Sequence, residues 1–337
     1  MNKIDSLISQ KRISMFIDFA TKLSFFSNKC VVITGGTGFV GSAIVRRLAS
    51  VAKEVHLIAR VSSSTERIQN VLTDVHMHRI VLDGATSLIE QVPEIAPNII
   101  IHSAQPSSHG PKSLSDFITA QNVSSRMLTN VLEYARAMQV EKMIHLCSSM
   151  VYGSNEKDAF SETGPYNPNT YRGLVKNNER NLCRDYAKKF NLPVSLARVF
   201  RAYGPYDSAQ KLIVNALERH NQKASIDLVS DHIVRDYIHV DDIVLAIAKM
   251  CEVPLTPGEE INLAGGKAYT AREIVTYLQQ ILRTTDLISE ITYASSEMDK
   301  TFKQANISKA KRLINWEPKF DIKVGLQDVV NWYRSRS

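Results

Sequence analysis

The stretch "NPNTYRGLVKNNE", residues 167–179, sets a tyrosine at 171 and a lysine at 176 at what reads as the start of a helix. A phenol beside an ammonium can exchange protons in the neutral range, because the positive charge favours the phenolate. The two must share a helical face, which spacings of three or four provide. A spacing of five separates them by about 140°, against about 40° for a spacing of four.

A second candidate is "VVITGGTGFVGSAIVRRLA", an apolar strand, a glycine loop and an amphipathic helix in immediate succession. Gly35 allows a tight turn, Gly38 lets the backbone approach a pyrophosphate and Gly41 permits close helix–strand packing, with Thr37, Phe39 and Val40 completing the loop. The free N–H groups of the following helix would face the anion. The context of strand before and helix after predicts dinucleotide binding rather than a mere glycine turn. The next strand, "VHLIAR", ends in Ala59 and Arg60, where a carboxylate would bind the ribose hydroxyls of NAD. An arginine there suits a 2′-phosphate, so NADP(H) is favoured over NAD(H). Asp83, closing "IVLDG", is placed to meet the adenine, or else is a turn residue.

These groups need a scaffold. From residue 29, short apolar runs alternate with amphipathic stretches, which is βαβα order. Such order builds a parallel sheet with helices on both faces, and burial on both faces explains strands that are continuously apolar. The expected architecture is an α/β, Rossmann-type doubly wound sheet over residues 29–200. A smaller α/β substrate lobe takes residues 201–337, with chain excursions between the two. Residues 1–28 are expected to add an N-terminal helix packed on the body or on a second subunit. Charges at Asp5, Lys11, Arg12, Asp18 and Lys22 exclude a signal peptide or a bilayer span there, although an interfacial membrane helix remains an alternative.

The chain of 337 residues is 44% hydrophobic and carries a net charge of +7, with no basic run, so an anionic small ligand is expected and a nucleic acid is not. Cys30, Cys147, Cys183 and Cys251 are far apart, as free thiols of a cytoplasmic protein would be. His76 and His78 share one face of a strand but lack a third ligand nearby in sequence, so no metal is assigned. Asp241 and Asp242 read as structural, and residues 258–260, "GEE", as a solvated turn.

The chain resembles the extended short-chain dehydrogenases/reductases, particularly the nucleotide-sugar epimerases, dehydratases and 4-ketoreductases. The resemblance rests on "TGGTGFVG", "IIIHSAQ", Asn122 in "AQNVSSRML", "HLCSSMVYG", "RVFRAYGP", "VRDYIHVDDIVLAI", "INLAGG" and "LINWEPKFDIKVGLQDVVNWY", in that order from about residue 29 to the end. It implies that Ser103, Ala104 and Asn122 line the cofactor cleft. Ser148, with Ser149 beside it, would hydrogen-bond the reacting sugar oxygen. Tyr171 would transfer the proton and Lys176 hold the nicotinamide ribose. Arg235 would pair with the substrate diphosphate, Lys211 approach its nucleotide side, and Arg201 stand where many relatives have an asparagine. Ser149 and Met150 replace the Asp-Glu pair of 4,6-dehydratases, which disfavours that activity.

Against this family pattern, landmarks on both sides put Lys176 in register and Arg172 in the tyrosine's place, whereas counting back from Glu179 keeps Tyr171 and puts Val175 where lysine belongs. The couple survives if Tyr171 precedes the first helical turn or if a π-type bulge at Gly173 joins i to i+5. Otherwise Ser148 or a water supplies the proton, or catalysis is lost. The expected activity is hydride transfer at C4 of a nucleotide-diphosphate sugar by a homodimeric 4-ketoreductase or epimerase. The alternative is a non-catalytic NAD(P)-binding regulator or scaffold.

Overall fold

Runs such as "CVVIT", "IIIH" and "MIHLCS" carry β-branched and apolar residues at successive positions, so both faces of each strand must be covered. In the computed structural model they are. The structure describes residues 21–81, 86–106, 113–154, 158–224, 226–228, 233–285, 288–291 and 302–336. The strands are β1 (Cys30–Thr34), β2 (Glu54–Ala59), β3 (His76–Arg79), β4 (Ile99–His102), β5 (Lys142–Ser148), β6 (Val194–Val199), β7 (Arg201–Tyr203), β8 (Ile226–Leu228), β9 (Val234–His239), β10 (Glu260–Leu263), β11 (Ala268–Thr270), β12 (Ile288–Ile291) and β13 (Phe302–Lys303). The helices are α1 (Phe39–Leu48), α2 (Leu88–Gln91), α3 (Leu114–Ala137), α4 (Tyr171–Phe190), α5 (Leu212–Asn221), α6 (Val240–Glu252), α7 (Ala271–Leu282), α8 (Ser308–Ile314) and α9 (Ile322–Arg334).

Seven strands form one sheet in the order β10-β6-β5-β4-β1-β2-β3, with every pairing parallel. Val31 and Ile33 face a core shared with α1 and α6, while Cys30 and Val32 face the core shared with α3 and α4. The strand order reverses between β1 and β4, which opens a crevice at their carboxyl ends. Leu23 and Phe26, from the end of the N-terminal extension, are buried in the first core; the rest of that extension, residues 1–20, lies outside the described residues.

A second, mixed sheet of β11, β9, β13 and β7 packs with α5, α7 and α9 around Leu217, Leu278 and Leu326. The chain crosses between the two bodies, since β10 follows β9 yet pairs with β6 in the large sheet. Glu260 begins that strand and is buried, contrary to the reading of "GEE" as a solvated turn. Its carboxylate meets Arg180 at 2.8 Å and Arg184 at 2.9 Å, and also Arg198. A carboxylate so placed keeps its charge inside the protein because three guanidiniums surround it.

The neighbouring acidic pair is structural. Asp241 accepts two hydrogen bonds from Arg47, and Asp242, fully buried, accepts from the backbone N–H groups of Lys319 and Phe320 at 2.8 and 3.0 Å. Asp242→Ala is expected to lower the unfolding free energy by about 3 kcal/mol in urea, from two lost charge-assisted bonds at about 1.5–3 kcal/mol each, partly offset by water. Asp241→Ala should cost less, because its ion pair is partly solvated.

Candidate active site

At the end of β1 the chain turns through Gly35 with φ of +71°, a conformation costly for any residue with a Cβ. A side chain there would also strike the backbone of Ala104. Gly38 donates its N–H to Gly35 O at 3.0 Å and precedes α1, whose first turn has no side-chain cap. The space a Cβ on Gly41 would need is filled by Gly35 O and Ser103 Oγ. Ser103 bonds Thr34 O through both its N–H (3.0 Å) and its hydroxyl (2.8 Å), tying the ends of β1 and β4 together. Thr37 is half-buried in the loop, and Phe39 and Val40 pack against the core. The structure thus brings Gly35, Gly38, Gly41, Ser103 and Ala104 to one crevice edge, with bare N–H groups that fit the diphosphate of a dinucleotide.

Beyond β2, Arg60 is exposed and reaches Pro106 O at 3.4 Å. Arg79, the register partner of Ala59, bonds the carbonyls of Arg60, Val61 and Ser63. Asp83 lies outside the described residues. Asn122 is exposed on α3, and its neighbour Gln121 bonds Ser125 and, across to α4, Asn178.

Ser148 closes β5, and its Oγ accepts from Met150 N at 3.2 Å, which leaves the hydroxyl proton free to donate. Ser149 is buried beside it. Thr170 caps α4 by accepting from Gly173 N at 3.0 Å, and Leu174 N donates to Thr170 O at 2.9 Å, so the helix is regular from Tyr171 onward. Neither route that would have joined Tyr171 to Lys176 is present. Tyr171 is 36% exposed and stacks on Phe117 at 5.2 Å between ring centroids. Lys176 is 3% exposed and points its ammonium inward. The side chain one turn before Lys176 on its own face is Arg172, whose Nη2 donates to Gln105 Oε1 at 3.0 Å. The expected Tyr171/Lys176 couple is therefore corrected, and the reason is helix phase.

The phase is held by a buried polar cluster that sequence reasoning used only as a landmark. Glu179 accepts from Lys176 at 2.6 Å and from Ser124, and Lys176 also donates to Leu146 O at 3.2 Å. His145 Nε2 lies 3.2 Å from Glu179 without the alignment of a hydrogen bond. His102 stacks on His145 and bonds Thr34 Oγ1 at 2.6 Å. Burial alone would raise the Glu179 carboxyl, but Lys176 and His145 outweigh it and hold the group well below the usual carboxylate range. Burial depresses His102 and His145, the second partly rescued by Glu179.

On the substrate side, Arg201 on β7 is half-buried, and Lys211 precedes α5. Burial, then Arg201, lowers the Lys211 ammonium, so the two cations lie close enough to repel. Burial lowers Arg172 too, with Arg201 adding to it and Glu179 opposing. Arg235 on β9 donates to Val234 O at 2.9 Å and sits opposite Tyr269 and Lys303 in the sheet. Arg172 and Arg79 are the charged groups at this site that motif reading undervalued; the i,i+4 spacing of Arg172 and Lys176 was the available signal.

Comparisons with known proteins show the family and the fold. Residues 31–264 match the model of the NAD dependent epimerase/dehydratase family. A dTDP-4-dehydro-6-deoxy-D-allose reductase of Streptomyces is 25% identical over 92% of this chain and 97% of its own length. A probable UDP-glucuronate 4-epimerase of Rhizobium meliloti is 23% identical over 90% and 96%. The crystal structure of a dTDP-glucose 4,6-dehydratase from Bacillus anthracis in complex with NAD superposes with a TM-score of 0.80 at 24% identity, over 92% of this chain and 97% of that one.

Two outcomes are expected of the buried cluster. Lys176→Met or Glu179→Gln strands a charge or donors, and each should cost about 3–5 kcal/mol, while the double variant Lys176→Met/Glu179→Leu should recover most of the loss. Burial makes His102 and His145 harder to protonate in the fold than in the unfolded chain, where they take up protons below about pH 6.5. Stability is then full above about pH 6.5 and falls as pH drops, by up to about 1.4 kcal/mol per pH unit for each ring; Glu179 adds a further loss below about pH 4.3. Urea midpoints measured across this range check both, and a profile flat between about pH 6.5 and 4.5 would show the rings taking up protons in the fold as readily as in the unfolded chain.

Proposed function

Because the chain belongs to the NAD dependent epimerase/dehydratase family, we propose that it transfers a hydride between a nicotinamide cofactor and C4 of a nucleotide-diphosphate sugar, as a 4-ketoreductase or an epimerase. The observation that carries this reading is the placement of Ser148, a free hydroxyl donor, at the same strand ends as the Gly35–Gly41 cradle. The relatives' names support it, since they include a reductase of a 4-dehydro sugar and a 4-epimerase. With Ser149 and Met150 after Ser148, no carboxylate stands ready for elimination of water, so a dehydratase or decarboxylase is disfavoured.

The bound nicotinamide would supply the hydride donor and acceptor. Gly35, Gly38, Gly41 and the first turn of α1 bind its diphosphate, and Ser103 and Ala104 line its cleft. Lys176 has three donor protons, two of which go to Glu179 and Leu146 O; the third is the one we assign to the nicotinamide ribose. Ser148 donates to the sugar oxygen, and Arg172 steadies the charge that develops there. A guanidinium donates hydrogen bonds and never acts as a base near neutrality, so in reduction the proton passes from Ser148 to the sugar oxygen and water replaces it on Ser148, and in oxidation it travels the opposite way. Arg201, Lys211 and Arg235 offer cationic charge to the substrate diphosphate. Arg60 and Arg79, with no carboxylate at the end of β2, support NADP(H) over NAD(H). Exposed Leu114, Ile118 and Leu174 on α3 and α4 support a homodimer, and four buried free thiols support a cytoplasmic setting.

Mass spectrometry of reactions with NADPH or NADH and a panel of keto and non-keto nucleotide sugars tests the proposal. Ser148→Ala is expected to lower kcat about 100-fold or more and Tyr171→Phe to leave it nearly unchanged. Loss of turnover in Tyr171→Phe would return the acid's role to that tyrosine. NADPH should bind at least about tenfold tighter than NADH, a difference of about 1.4 kcal/mol that Arg60→Glu removes. Tight cofactor binding without turnover of any sugar would instead mark a binding protein.

A further inference from the structure

The sheet gathers, at the end opposite the crevice, ligand types that the sequence keeps apart. Cys30 begins β1 and Glu54 begins β2, and the two are register partners. His56 follows two residues later on the same face of β2, since strand side chains alternate. One ligand atom from each of Cys30, Glu54 and His56 lies within 4.8 Å of the other two. His56 Nε2 is already 3.3 Å from Glu54 Oε2. The other ring nitrogen, Nδ1, is 3.0 Å from Nε2 of His78 on β3, and His76 stacks on the His56 ring at 4.8 Å. The pair "HMH" thus finds its third histidine on a neighbouring strand.

We propose that Cys30 Sγ, Glu54 carboxylate and His56 Nε2 form a site for a divalent transition-metal ion, zinc foremost. Thiolate, imidazole and carboxylate together are the donor set of zinc, at about 2.3, 2.0–2.1 and 2.0–2.2 Å. Tetrahedral bonding at those lengths sets donors roughly 3.4–3.6 Å apart, so closure needs only small movements. Glu54, whose side chain is 40% exposed, can supply most of them and leaves a path for the ion and for a water as fourth ligand. His78 takes the outer position, orienting the His56 ring through its far nitrogen, as partners of metal-bound histidines do. Binding would clamp the starts of β1 and β2, and it leaves the phosphate cradle at the other strand ends untouched.

Cobalt(II) titration of the chelator-treated full chain is the test, because a thiolate ligand gives an intense charge-transfer band in the near ultraviolet. One equivalent should raise the band, and zinc should then abolish it. Cys30→Ser should remove it, Glu54→Gln and His56→Gln should weaken binding at least about tenfold, and His78→Ala by about 10–100-fold. Glu54→Gln changes a partly exposed side chain, so its effect stands even if Cys30→Ser folds poorly. Cys251→Ser should leave the band unchanged, and none of these variants should alter NADPH affinity, which separates this proposal from the catalytic one. The proposal is overturned if wild type gives no band or if the band survives Cys30→Ser. Equal zinc affinity in wild type and Glu54→Gln would also overturn it, pointing to the exposed imidazoles alone.

Discussion

Glu179 sets the phase of α4, and the site depends on that phase. A carboxylate with 3% exposure must be compensated where it stands, and Lys176 one turn earlier, Ser124 on α3 and His145 on β5 provide for it. Once Lys176 is drawn inward, the rest of the first turn has no freedom. Arg172 must share its face, Gly173 must pack against Met150 O, and Tyr171 must lie off to the side against Phe117. The choice between a tyrosine and an arginine on the helix face of Lys176 is thus made by a buried ion pair further along the helix.

Buried carboxylates recur where distant segments of the chain are tied together. Asp236 on β9 accepts from the N–H groups of Gly265, Gly266 and Ala305, which join the segment after β10 and the segment after β13 to the small sheet. Asp242 does the same for residues 319 and 320, and Glu260 anchors β10 to Arg180 and Arg198. Asp236 and Asp242 each act where a loop has backbone donors that no sheet neighbour satisfies, whereas Glu260 ties β10 to α4 and β6 within the large sheet.

What could be read from the sequence was what obeys local rules. The glycine loop, the parallel order and the helix positions follow from periodicity and from the strand–loop–helix context, and the sheet has them. The readings that went astray depended on partners distant in sequence. Glu260 in "GEE" has the composition of a turn, and only its three arginines from α4 and β6 explain its burial. The nearness of His56 to His76 was hidden for the same reason, since only the sheet register places them side by side.

The arginine at position 172 changes what the active-site chemistry can be. A tyrosine next to a free lysine can give and take a proton, whereas a guanidinium only donates hydrogen bonds and keeps its charge. Here the lysine that would have tuned a phenol is already neutralised by Glu179. Positive charge in the crevice is therefore carried by Arg172, with Arg201 and Lys211 near it and repelling it. Cations brought together at partial burial are stable only with an anion among them, so electrostatics favours the bound complex over the empty crevice. On the proposed function, a site built this way would stabilise an oxyanion by fixed charge and leave proton delivery to Ser148 and solvent, trading a tuned acid for a stronger field.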